Sequence, residues 1–128
     1  MSTATGAALD SVGLTGLTEE EELFRASVRE FAEGEVRPRV EAMEHASKLD
    51  GDLIKQCFEL GLMAIESPEE YGGAGSTIFN AIIAIEEIAR VDASLSVFVD
   101  VHNTLVTNAF MRWGSDDLKK KYLTQMAT

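Results

Sequence analysis

The chain has 128 residues, of which 45% are hydrophobic and 26% are charged, a balance typical of one globular domain rather than of a disordered chain. Its formal net charge of −11 argues against nucleic acid and anionic membranes as partners, because both require a basic surface. A single cysteine, no apolar run of about 18 residues and no secretory-signal pattern favour a cytoplasmic protein without a membrane span.

Residues 1–16 are rich in Ser, Thr, Ala and Gly and predict a mobile tail, whereas residues 17–128 predict the folded domain. The first helix is expected to begin after Thr18. Thr18 and Glu21 have the three-residue spacing of a capping box, in which each side chain accepts a hydrogen bond from the backbone N–H of the other residue.

Pro38 interrupts the pattern of this first helix. Proline lacks a backbone N–H, so we expect a kink or a new helix start there, with helix continuing to about Ala46. Three ion pairs between residues four apart are expected along the helix: Glu21–Arg25, Glu33–Arg37 and Glu35–Arg39.

A short helix is predicted after Asp50, which is a favourable N-cap residue. It is expected to run through Leu60 and to end at Gly61, because glycine readily takes the left-handed conformation that follows a helix. Cys57 lies within its apolar pattern and is expected to be a small buried hydrophobe. Residues 62–75 predict an irregular connection rich in glycine.

Two long apolar helices are predicted next, over residues 77–91 and 93–113. In the first, apolar residues cover nearly the whole circumference. In the second, two apolar faces flank a polar stripe that consists of Ser96, Asp100, Asn103 and Thr107. This pattern predicts packing on two sides, so we expect these helices to form the buried centre of an all-α orthogonal or up-down bundle of five to six helices. A last helix is predicted from Ser115.

Three groups of residues suggest chemistry, and each also has a structural interpretation. The glycine-rich segment 69–75 could cradle a phosphate, but a structural turn is favoured because it matches no known phosphate-binding motif. Glu41 and His45 could bind a metal, but no second such pair exists and solvated side chains are favoured. His102 is favoured as a hydrogen-bonded core or pocket residue rather than a general base.

The order and spacing of several segments closely resemble the amino-terminal helical domain of acyl-CoA dehydrogenases, and most of all the short/branched-chain type. The resemblance runs from about Leu17 to Thr128. Its main segments, in chain order, are EEYGGAG, AIEEIARVDASLSVFVDVHNTL and GSDDLKKKYLTQMAT.

This resemblance implies a larger enzyme in which a β-domain and a second helical domain follow the first. Members of the family bind FAD, remove the α-proton of an acyl thioester with a glutamate and pass electrons to electron-transferring flavoprotein. They are usually homotetramers of fatty acid or branched-chain amino acid catabolism. The resemblance also implies that the catalytic glutamate and the main flavin-binding segments lie beyond Thr128, so the chain alone is expected to be inactive.

The resemblance further implies that the helix over residues 93–113 lines the cavity for the acyl tail. By position, the lining residues are expected to be Val97, Phe98, Val101, His102 and Leu105, with ordinary core packing as the alternative for each. The bulk of Phe98 and Val101 should shorten the cavity. A short or branched acyl-CoA is therefore the expected substrate.

Two other functions stay open from the sequence. A related flavin enzyme of the same fold, such as an acyl-CoA oxidase or a flavin monooxygenase, would use the same helical domain. A stand-alone helical interaction module, or a subunit completed by a partner chain, would also expose an apolar surface.

Overall fold

The computed structural model describes residues 16–128. Over this range the chain is helical and has no β-strand, which confirms the predicted all-α fold. The predicted tail over residues 1–16 lies, except for its last residue, outside the described residues.

The helices, in chain order, are α1 (Glu19–Phe31), α2 (Val40–Ala46), α3 (Gly51–Glu59), α4 (Ile78–Ala89), α5 (Ala93–Asp100), α6 (Asn108–Trp113), α7 (Asp116–Leu118) and α8 (Thr124–Ala127). Three wider π-helical segments continue α1, join α5 to α6 and join α7 to α8: Ala32–Val36, Val101–Thr107 and Lys119–Leu123. Between residues 16 and 128 these elements therefore form five helical rods, within the predicted range.

The first rod begins with the predicted capping box. The backbone N–H of Glu21 donates to Thr18 Oγ1 at 3.2 Å, and the N–H of Thr18 donates to Glu21 Oε2 at 2.8 Å. The predicted pair of Glu21 with Arg25 is wrong, because the capping bond occupies the Glu21 carboxylate. Arg25 instead binds Glu22 at 2.6 Å.

Pro38 changes the hydrogen-bond pattern of this rod without breaking it. The π-helical segment ends just before the proline, and a short 3₁₀ segment over Arg37–Arg39 leads into α2. The rod ends at Ala46 as predicted. Ser47 takes a left-handed conformation with φ of 50°, and the N–H of Lys48 donates back to Met43 O at 3.2 Å.

Arg39 joins the first rod to α3. The predicted pairs Glu33–Arg37 and Glu35–Arg39 are both present, the latter at 3.1 Å. Arg39 also binds Asp52 at 2.8 Å, in the first turn of α3. This second contact was not predicted, because the two residues belong to different helices.

Helix α3 has the predicted ends. Asp50 Oδ1 accepts hydrogen bonds from the N–H groups of Asp52 and Leu53, at 2.8 and 3.3 Å. Gly61 has φ of 72° and follows the helix in the left-handed conformation that only glycine adopts readily. Cys57 is fully buried, as expected, and burial raises the pKa of its thiol to about 11.

The connection after α3 is irregular, as predicted, but its first part belongs to the core. Leu62, Met63 and Ile65 are buried along with Ser67, although none lies in a helix. The sequence pattern did not indicate this burial, because a short irregular segment has no helical periodicity to reveal its inner side.

The glycine-rich turn packs against this buried segment. Every backbone N–H from Tyr71 to Ser76 donates to a backbone carbonyl of residues 64–69. A Cβ atom at Gly73 would lie 2.0 Å from Ser67 O, so only glycine fits there. The turn is therefore structural, and its amides are not free to hold a phosphate.

Helices α4 and α5 form an antiparallel pair at the centre of the domain. Thr77 caps α4, and Asp92 Oδ1 caps α5 by accepting the N–H of Leu95 at 2.8 Å. The core lies between this pair, the first rod, α3 and the irregular segment. Its buried members include Val28, Phe31, Val36, Met43, Leu53, Cys57, Leu62, Met63, Ile65, Ala81, Ala84, Ile88, Leu95 and Val99.

Candidate functional site

The inward face of the rod formed by α5, the segment Val101–Thr107 and α6 carries buried polar side chains. Ser96 donates to Ile85 O of the neighbouring α4 at 2.9 Å, and Thr107 donates to Asn103 O at 2.7 Å. Three members of the predicted polar stripe (Ser96, Asn103 and Thr107) thus face the domain interior, where backbone groups satisfy them.

Asn103 lies at the centre of this face and is only 1% exposed. Its Oδ1 accepts the N–H of Ile65 at 2.9 Å. Its Nδ2 donates to Leu62 O at 2.8 Å and to Val99 O at 2.9 Å. These partners define the orientation of the Asn103 amide: its oxygen must face the N–H donor, and its NH₂ group must face the two carbonyl acceptors. Asn103 therefore holds the irregular segment against the rod.

The rod changes its winding at the same place. Over Val101–Thr107 the backbone has the i→i+5 hydrogen bonds of a π-helix. Within or beside this wide turn, Asn103, Thr104 and Thr107 each donate to the carbonyl four residues back. Side-chain insertion of this kind accompanies local changes of helix geometry, and π-helical turns are frequent at functional sites.

The outward face of the same rod is apolar and exposed. Val97, Val101 and Leu105 are 57%, 38% and 64% exposed. Ile78 and Ile82 of α4 are also exposed. The expectation that the two apolar helices form the buried centre therefore holds for their inward faces but not for these outward faces, because no described part of the chain covers them.

Four of the five predicted acyl-pocket residues lie together in one open, mainly apolar depression: Val97, Phe98, Val101 and His102. Leu49, Ser94 and Val106 complete its lining. Leu105 is not part of this depression but lies further along the same rod. The structure thus brings four of the five predicted residues together, and their role as an acyl pocket stays a prediction.

Phe98 and His102 also have partners within the domain. Phe98 is half-buried and packs against the core. His102 Nε2 lies 2.8 Å from Met126 O, and its ring meets Phe58 edge-on with centroids 5.7 Å apart. Because a carbonyl is an acceptor, this contact requires the proton on Nε2. The expected hydrogen-bonded role of His102 agrees with this geometry.

A buried carboxylate joins α1 to α4. Glu87 is 4% exposed, and both its oxygens accept hydrogen bonds from Arg29 at 2.8 Å. The bonds from Arg29 and the nearby charges of Arg29 and Arg90 lower the pKa of Glu87. The sequence did not indicate this pair, because 58 residues separate its partners.

The other polar candidates do not form a site. Glu41 and His45 lie 3.7 Å apart on an exposed surface. Among the described residues, no three potential ligands lie close enough together to hold a metal ion. Within residues 16–128, no helix combines the length and the apolar character needed to cross a bilayer.

The chain matches the family model described as "Acyl-CoA dehydrogenase, N-terminal domain" over residues 18–128. Among curated relatives, it is 46% identical over 115 residues to a probable short/branched chain specific acyl-CoA dehydrogenase of Dictyostelium discoideum. This alignment covers 90% of the chain and 28% of that relative.

Two solved structures have the same fold. One is butyryl-CoA dehydrogenase from Megasphaera elsdenii, with a TM-score of 0.80 and 27% identity. The other, with a TM-score of 0.82 and 33% identity, is titled as the electron transferring flavoprotein of Acidaminococcus fermentans. Each comparison covers 88% of this chain and 30% of the solved chain. The chain belongs to the acyl-CoA dehydrogenase family and corresponds to its amino-terminal domain.

Proposed function

We propose that this domain forms one wall of the acyl-binding pocket of an FAD-dependent acyl-CoA dehydrogenase that acts on a short or branched acyl-CoA. The observation that carries the proposal is the outward apolar face of the α5–α6 rod, where Val97, Val101 and Leu105 are exposed. In a chain of this family, that face is available to an acyl tail.

The chemistry of the face suits a hydrocarbon ligand. The depression around Val97 and Val101 is lined mainly by apolar side chains, with His102 as its polar edge. Each methylene group that leaves water contributes about 0.8 kcal/mol. An acyl tail therefore gains binding free energy from these side chains without any specific polar contact.

Phe98 and Val101 support the short or branched specificity. Both lie in the depression and narrow it more than smaller side chains would. The relative from Dictyostelium discoideum is named as short/branched chain specific, and the Megasphaera elsdenii enzyme acts on butyryl-CoA by its name. The short or branched substrates in these names agree with a pocket that the bulky side chains of Phe98 and Val101 narrow.

We assign flavin binding and the chemical reaction to other parts of the full-length enzyme rather than to this domain. The backbone N–H groups from Tyr71 to Ser76 are all bonded to backbone carbonyls, so this part of the turn offers no cradle for the diphosphate of FAD. We therefore assign no flavin contact and no chemical step to the described residues. The family resemblance supports electron-transferring flavoprotein as the electron acceptor and a homotetramer as the assembly. The cytoplasmic location stays a prediction.

The test is a pair of substitutions in the full-length enzyme that carries this domain. We expect Phe98→Ala and Val101→Ala each to raise the ratio of kcat/KM for hexanoyl-CoA to that for butyryl-CoA. Room for two more methylene groups in the pocket corresponds to a rise in this ratio of about tenfold or more. Phe98 also packs against the core, so Val101→Ala is the variant that changes the surface with less effect on folding.

Leu23→Ala is the matched control, because Leu23 is an exposed aliphatic residue of α1 outside the depression. It should leave the ratio unchanged. If neither Phe98→Ala nor Val101→Ala moves the ratio, the proposed pocket is wrong. Faster reoxidation by molecular oxygen than by electron-transferring flavoprotein would instead favour an oxidase of the same fold.

A further inference from the structure

We propose that Asn103, assisted by Thr104, is a positioning residue that holds the wide turn Val101–Thr107 and thereby aligns Leu105 with Val97 and Val101. Chain-length selectivity would then depend on a buried amide that does not touch the substrate. The inference rests on the proposed acyl pocket and concerns what gives that surface its shape.

The winding of the rod decides where Leu105 lies relative to Val97 and Val101. In a regular α-helix, residues four apart drift around the axis by roughly 40° per step, because each turn holds 3.6 residues. Over the two steps from Val97 to Leu105 the drift would reach about 80°. Leu105 would then lie beside the row formed by Val97 and Val101 rather than in line with it.

The wide turn corrects this drift. A helix with i→i+5 hydrogen bonds holds more residues per turn than an α-helix, so residues four apart rotate back instead of forward. The step from Val101 to Leu105 lies wholly inside the π-helical segment Val101–Thr107. Val97, Val101 and Leu105 are all exposed, as side chains in one outward row would be.

Side-chain hydrogen bonds hold the wide turn. Asn103 Nδ2 donates to Val99 O at 2.9 Å, the carbonyl just before the turn, and to Leu62 O at 2.8 Å. Thr104 Oγ1 donates to Asp100 O at 2.9 Å. These side chains supply donors to carbonyls where the helical ladder changes from i→i+4 to i→i+5.

The Asn103 side chain cannot easily change its orientation or its partners. It is almost completely buried, and its Oδ1 also accepts the N–H of Ile65. A buried backbone N–H or C=O that loses its partner is costly, so the amide keeps its three bonds together. The irregular segment and the wide turn therefore hold each other in place.

The test compares selectivity in the full-length enzyme, measured as the ratio of kcat/KM for hexanoyl-CoA to that for butyryl-CoA. Asn103→Asp keeps the size and the acceptor of the side chain but removes both donated bonds. We expect the ratio to rise by about fourfold or more, the effect of one buried methylene group, because Leu105, which lies beyond the depression along the rod, leaves the row and no longer limits the length of a bound acyl tail. Loss of folded enzyme scales both kcat/KM values equally and leaves the ratio unchanged.

Asn108→Ala is the matched control. Asn108 Nδ2 donates to Glu66 Oε2 at 3.3 Å and so also joins the rod to the irregular segment, but Asn108 lies beyond the wide turn. Its removal should leave the ratio unchanged. An equal shift in Asn108→Ala and Asn103→Asp would overturn the proposal, because any contact with the segment would then have the same effect.

The outcome with Val101→Ala separates this inference from the proposed function. If Val101→Ala moves the ratio and Asn103→Asp does not, the pocket stands and the positioning role is wrong. If Phe98→Ala, Val101→Ala and Asn103→Asp all leave the ratio unchanged, the pocket itself is wrong and the positioning role falls with it. If Asn103→Asp yields no folded enzyme, the half-buried Thr104 decides: Thr104→Val should raise the ratio, and an unchanged ratio overturns the proposal.

Discussion

The two faces of the α5–α6 rod differ from the usual distribution, because polar side chains are buried beside Leu95 and Val99 while large apolar side chains are exposed on the other face. On the inward face Ser96 and Asn103 are buried and bonded to backbone groups of other segments. On the outward face Val97 and Leu105 are exposed. The interior polar residues therefore satisfy backbone groups of neighbouring segments, whereas the outer apolar residues are available to a surface outside the described residues.

Helix α4 likewise buries one polar side chain and exposes apolar ones. Glu87 faces inward and binds Arg29 of α1, whereas Ile82 faces outward and is half exposed. Buried polar and exposed apolar side chains are therefore a property of the central helix pair rather than of a single residue. Substitutions that change one face at a time test the difference between the two faces.

The largest difference is expected between Leu95→Ala and Val97→Ala. Leu95 is 0% exposed in the core, so its truncation should lower the free energy of unfolding by about 2–5 kcal/mol. Val97 is exposed two residues along the same helix, and its truncation should change that free energy by less than about 0.5 kcal/mol. Urea denaturation followed by circular dichroism measures both. Equal losses would show that the two faces do not differ in packing.

Features that depend on a few neighbouring residues were predictable from the sequence. The capping box at Thr18, the N-cap at Asp50 and the helix end at Gly61 each rest on a local hydrogen bond or a local backbone conformation. The all-α fold follows from the same patterns. Because these interactions span at most a few residues, the residue types alone indicate them.

The two faces of the central pair were not predictable in the same way. Periodicity shows which residues share a face, but not which part of the chain covers that face. Asn103 binds residues 38 and 41 positions away, so its burial depends on the complete fold. The wide turn over Val101–Thr107 was missed for the same reason, since the helical pattern assumes 3.6 residues per turn.

The second experiment changes the inward face of α4 through Glu87→Gln. This variant keeps the shape of the side chain but removes its charge, and it should lower the free energy of unfolding by about 1–3 kcal/mol near neutral pH, because the bonds to Arg29 are charge-assisted. Urea denaturation at a series of pH values measures the effect.

The pH dependence has a definite sign. Hydrogen bonds from Arg29 hold the pKa of Glu87 below its unfolded value of about 4.3. The stabilisation is therefore complete above that value and is lost as the pH falls through the lower, folded pKa. The difference between the wild-type chain and Glu87→Gln should shrink on acidification below about pH 4. A difference that is constant down to the acid transition would show that the ionised pair does not stabilise the fold.

The smallest effect on stability is expected from Leu105→Ser on the outward face. Leu105 is mostly exposed, so the substitution removes little buried surface and should change the free energy of unfolding of the chain by less than about 0.5 kcal/mol. Leu95→Ser is the inward control and should destabilise the chain strongly, because it buries an unpartnered hydroxyl in addition to leaving a cavity. A loss of more than about 1 kcal/mol in Leu105→Ser would mean that the outward face is already packed within the domain, which would contradict its availability to an acyl tail.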